Sequence, residues 1–138
     1  WKHRKNTGEI IKEKSYKVEI KKLSSVWLEK ITLPELSLYD EYISYEMIKD
    51  NKVISSGTTI FCAPKHFKFI NPNLNISVNG DEITILSDSY ARSIEVINEE
   101  DNLLLEDNYF DINSGIHKVK IIKGEPKGLK VRSVYDIR

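Results

Sequence analysis

Alternation with a period of two constrains this chain more than any other feature. Tyr16-Lys17-Val18-Glu19-Ile20, Glu82-Ile83-Thr84-Ile85 and His117-Lys118-Val119-Lys120-Ile121 each put an apolar side chain at every second position, many of them β-branched or aromatic. Successive side chains of an extended strand point to opposite faces, so this spacing makes strands with one buried and one solvated face. A helix needs apolar residues every three to four positions, and no stretch of ten residues keeps that stripe. Leu33-Pro34-Glu35-Leu36-Ser37-Leu38 has room for one turn at most. The expectation is an all-β protein of antiparallel strands.

Turn chemistry divides the pattern into hairpins. Tyr42–Ile48 and Val53–Phe61 flank Lys49-Asp50-Asn51-Lys52, whose central pair tolerates the backbone a tight turn demands. Asn75–Val78 and Glu82–Ile85 flank Asn79-Gly80-Asp81, and Asn-Gly is the strongest short-range hairpin signal. Further strands are expected at 16–20, 26–31, 91–97, 103–105, 109–112, 117–122 and 129–134. Their short, regular spacing suits a β-sandwich. Pro64, which has no amide hydrogen to give a central ladder, marks a strand exit and a domain junction at Ala63–His66.

Charge and cysteine content narrow the function classes. Twenty-one Lys and Arg balance twenty-one Asp and Glu over 138 residues, and this neutrality argues against a nucleic-acid or membrane-surface partner. No apolar run approaches the roughly 20 residues a membrane-spanning helix needs. Cys62 stands alone, so neither an intramolecular disulfide nor a thiolate metal cluster can form, and it reads as a small buried hydrophobe. His3, His66 and His117 lack ligand spacing, so no metal or cofactor is expected. The carboxylates of Asp40-Glu41, Glu99-Glu100-Asp101 and Glu106-Asp107 fall in expected turns and read as solvated, not catalytic.

Three ordered blocks carry a resemblance. They are Phe61-Cys62-Ala63-Pro64-Lys65-His66-Phe67-Lys68-Phe69, then Ile85-Leu86-Ser87-Asp88-Ser89-Tyr90-Ala91-Arg92-Ser93-Ile94-Glu95, then Leu105-Glu106-Asp107-Asn108-Tyr109-Phe110-Asp111-Ile112-Asn113-Ser114-Gly115. Together they resemble the C-terminal region of family 2 glycoside hydrolases of the β-mannosidase type. Residues 1 to about 60 resemble the preceding module through more generic motifs, among them Ser24-Ser25-Val26-Trp27.

The resemblance implies an immunoglobulin-like antiparallel β-sandwich in two modules. Residues 1–66 would be the later strands of one module, truncated at its start, and 67–138 a near-complete last module. It implies a parent that hydrolyses terminal β-D-mannosyl residues, with its two catalytic glutamates on a barrel of about 250 residues that this chain does not contain. The chain would then be non-catalytic and would buttress or orient that barrel. Its partners would be the remaining domains of the parent, and an unpaired edge of the first sheet would favour a homodimer. The alternative is an independent carbohydrate-binding or adhesion module, in which exposed aromatic rings stack on sugars.

Named residues follow from these readings. Tyr109 is the candidate for a structural corner, its hydroxyl tying back to a nearby loop. Asp88, Tyr90 and Arg92 are candidates for an inter-domain contact. Trp27 reads as core and Trp1 as an edge residue or a contact to a further domain. Tyr39, Tyr42 and Tyr45 read as packing residues ahead of a sugar platform. Asn75-Ile76-Ser77 fits a glycosylation acceptor but is too short a pattern to carry a function.

Overall fold

The computed structural model describes residues 1–137. Among the described residues eleven strands make three antiparallel sheets, and the only helical segments are two 3₁₀ turns, Pro64–His66 and Val134–Ile137. The protein is all-β, in the immunoglobulin-like sandwich class.

The first four strands are β1 (Lys2–Lys5), β2 (Ile10–Glu13), β3 (Glu41–Lys49) and β4 (Lys52–Ile60). They form one sheet in the order β2-β1-β3-β4. The β3–β4 hairpin closes at Asp50-Asn51, both in the left-handed region (φ 50° and 60°), as the turn chemistry requires. Among the described residues no second sheet covers both faces of this one, and Tyr45, Met47, Val53, Ile54 and Phe61 stay exposed.

Two expected strands of this half do not form. Residues 16–20 and 26–31 enter no ladder, and Trp27 is 95% exposed instead of lying in a core. A strand needs a partner to satisfy its amides, and alternation alone supplies none. Conversely, β1 went unpredicted because Lys-His-Arg-Lys hides its alternation under charge, although Lys2 and Arg4 share one face and His3 is buried on the other, and β2 because Ile10-Ile11-Lys12-Glu13 does not alternate and is exposed throughout.

The other seven strands are β5 (Asn75–Asn79), β6 (Glu82–Ser87), β7 (Ala91–Ile97), β8 (Leu104–Leu105), β9 (Phe110–Ile112), β10 (Gly115–Lys123) and β11 (Lys130–Arg132). They make two sheets, β5-β6-β10-β8 and β11-β7-β9. Ile83 and Ile85 of β6 and Val119 of β10 face Ala91, Ile94 and Val96 of β7 and Ile112 of β9, with Leu105 closing the core. Each of the Ile, Leu and Val side chains contributes roughly 1.5–3 kcal/mol by leaving water. The β5–β6 hairpin turns through Gly80-Asp81, with Gly80 at φ +61° and Asn79 paired to Glu82. A bulge between Ala91 and Ile94, with Ser93 at φ 49°, shifts the β7 register against β9.

Candidate functional site

A second buried cluster joins the two halves. Tyr42 of β3 and Tyr90, which precedes β7, stack with ring centroids 3.9 Å apart and planes 15° from parallel. Phe67 and Phe69, just past the Pro64–His66 turn, pack on Tyr90 at 6.0 and 5.8 Å. Ile60, Cys62, Val134 and Tyr135 lie against the cluster. Tyr42 lies in the first half of β3, where Ile43 and Ser44 on successive faces are buried as well, whereas Tyr45 begins the exposed second half of the strand.

The hydroxyls of the stacked rings are committed to bonds across the junction. Tyr90 and Thr58 share a hydrogen bond of 2.6 Å, and the Thr58 hydroxyl also donates to the Asp111 carboxylate of β9. The other oxygen of Asp111 accepts the Ser93 amide at 2.8 Å. Tyr42 donates to the Asn113 side chain at 3.0 Å. Burial, with Asp111 nearby, pushes both tyrosine hydroxyls well above their ordinary range, so they stay protonated as donors. Backbone bonds add to the seam: Tyr90 N donates to Asn6 O at 3.0 Å and Lys68 N to Tyr39 O at 2.6 Å.

Beside this seam runs an open cleft of about 700 Å³. Arg4, Glu46, Ser56 and Thr58 line one wall; Arg92, Asp107, Tyr109, Asp111 and His117 line the other. Arg4 is held by Ser44 Oγ at 2.9 Å and Gly8 O at 2.6 Å. Arg92 Nη1 is buried and has no hydrogen-bond partner among the described residues. Three carboxylates reach this cleft, those of Glu46, Asp107 and Asp111; Asp111 is taken up by Thr58 and Ser93, and Glu46 stands 3.8 Å from Lys2 in a partly exposed pair.

The residues singled out in the sequence fall as follows. Tyr90 and Arg92 reach the junction, whereas Asp88 is exposed in the β6–β7 loop and accepts a hydrogen bond from the Asn73 side chain, in the segment before β5, at 3.0 Å. Tyr109 is 63% exposed at φ 64°, and its hydroxyl meets a side chain on the adjacent strand, Glu95 at 2.7 Å, where a loop was expected. Glu95 also takes Arg132, and these two bonds hold its carboxyl below the usual range. Cys62 is a half-buried free thiol at the edge of the aromatic cluster. Trp1 is half-buried, and its indole Nε1 has no partner among the described residues. Tyr42, Thr58 and Asp111 were missed as a unit, since residues so far apart in sequence meet only through topology. No His, Cys, Asp or Glu group among the described residues is arranged to hold a metal. No helix among them is long and apolar enough to cross a membrane.

Residues 1–66, just under half the chain, match the family model of the Mannosidase Ig/CBM-like domain. This segment is therefore consistent with an Ig-like region of mannosidase-type glycoside hydrolases. No curated protein matches the chain.

Proposed function

We propose that the chain is the non-catalytic C-terminal β-sandwich region of a β-mannosidase-like glycoside hydrolase. Residues 1–66 are the later strands of one Ig-like module and 67–138 the last module, and together they buttress or orient a catalytic barrel elsewhere in the parent. The match of residues 1–66 carries this reading. The junction supports it: aromatic rings and spent polar groups form a fixed joint between two β units, which suits a strut. Asp88 and Arg92 remain our candidates for contact with the rest of such an enzyme.

The competing reading, an independent carbohydrate-binding module, draws on the polar cleft beside the joint. Its aromatic walls are less suited to a sugar face, because Phe110 is already stacked on His117 at 4.1 Å and the Tyr109 hydroxyl is tied to Glu95.

Two assays test the proposal. The chain alone should release no nitrophenol from 4-nitrophenyl β-D-mannopyranoside, and release would overturn it. In a mannosidase-type polypeptide carrying this region, Tyr90→Ala should lower the temperature at which activity is lost while leaving KM unchanged. An altered KM with unchanged heat tolerance would contradict a structural role.

A further inference from the structure

The two apolar runs that fail to become strands form the arms of an open loop. Past β2, an edge strand, the chain runs out along Tyr16–Ile20 and turns at Lys21–Ser24. There Leu23 sits at φ 59° and both the amide and the hydroxyl of Ser24 donate to Lys21 O, at 3.2 and 2.6 Å. It returns along Val26–Ile31, with Lys14 Nζ 3.3 Å from Glu29 and 4.6 Å from the centre of the Tyr16 ring. No ladder uses the backbone of residues 15–20, and Val18 and Ile20 are 40% and 51% exposed.

We propose that Tyr16–Ile20 is the surface on which a second copy of this chain docks, antiparallel, with the two-fold axis at Val18. The sequence of the arm is complementary to itself in that register. Lys17 falls opposite Glu19 of the second copy and Glu19 opposite its Lys17, on the polar face. Tyr16 falls opposite Ile20, an aromatic against a β-branched residue, and Val18 opposite Val18, on the apolar face. Both kinds of cross-strand pair are favourable, and the new ladder satisfies amides and carbonyls that have no ladder partner within one chain. The arm starts three residues beyond edge strand β2, so the added ribbon continues from the margin of an existing sheet.

The opposite margin fits a second copy less well. Strand β4 has one charged residue, Lys52, and Ile54 is an extra residue between Ser55, which pairs with Met47, and Val53, which pairs with Ile48. Bulges of this kind interrupt an edge and hinder strand addition.

Sedimentation velocity on the full chain across a concentration series tests the proposal. The wild type should show a reversible dimer. Glu19→Lys, which sets two lysines face to face twice over, should weaken it about tenfold. Lys17→Glu with Glu19→Lys should restore it, since the exchange keeps every pair complementary. All these positions are solvent-exposed, and an unchanged far-ultraviolet circular dichroism spectrum checks that each variant folds. A monomer at every concentration would overturn the proposal. So would a dimer indifferent to Glu19→Lys, or a double variant no stronger than the single one.

Discussion

At the residue scale, burial sets the behaviour of single groups here. His117 stands on β10 opposite Ile85 and stacks on Phe110, and burial lowers its pKa below the ordinary value near 6.5 although Asp107 acts the other way. The unfolded chain therefore takes up the proton first. Stability should be full above about pH 6.5 and should fall as the pH drops through that value towards the folded pKa. His117→Gln should flatten this part of a plot of urea midpoint against pH; an unchanged slope would remove His117 as its source. Tyr90→Phe keeps the stacked ring and removes the hydroxyl shared with Thr58. It should cost about 1–2 kcal/mol in urea unfolding, where Tyr90→Ala, which empties the joint, should cost about 3–5. Tyr90 was legible within a residue-level resemblance, but its partners were not. Nothing local to Tyr42 or Thr58 announces a contact with a residue more than thirty positions away.

At the scale of elements, the hairpins were legible because their cause is local. Asp50-Asn51 turns where turn chemistry puts it, the second hairpin turns at Gly80-Asp81, one residue past the Asn-Gly pair, and Ile83 and Ile85 face inward as alternation demands. Arm 16–20 carries an equally clear alternation, and arm 26–31 an apolar run, yet neither forms a ladder, which shows that a pattern fixes which face is apolar but not whether a neighbour exists. The glycines separate local from tertiary causes in the same way. Gly80 (φ +61°) has open space around it, so Gly80→Ala should cost only the left-handed backbone, about 1 kcal/mol. Gly8 (φ +88°) lies in the β1–β2 turn, where an added Cβ would stand 2.3 Å from the backbone oxygen of Asn113 in the other half. Gly8→Ala should cost clearly more than Gly80→Ala, about 3 kcal/mol, because strain and a backbone clash coincide. Equal losses in chemical denaturation would mean that the β1–β2 turn does not press on the junction.

At the scale of the molecule, a seven-stranded sandwich carries a four-stranded sheet through an aromatic joint. The sandwich class followed from spacing and turn residues, yet the two comparisons with known proteins lean on different halves. The residue-level resemblance is densest between Phe61 and Gly115, while the family model matches residues 1–66. The joint lies where they meet, at Phe67, Phe69 and Tyr90, and it is the feature least visible in sequence because it needs both halves at once. The polar cleft beside it separates a strut from a sugar-binding module. The measurement that bears most directly on this account is an NMR titration of the chain with mannose, mannobiose and a longer β-mannan, following tryptophan, tyrosine and His117 resonances. The account predicts a spectrum unchanged to millimolar ligand. Saturable shifts confined to Tyr109, His117 and their neighbours in the cleft would contradict it and make the chain a carbohydrate-binding module.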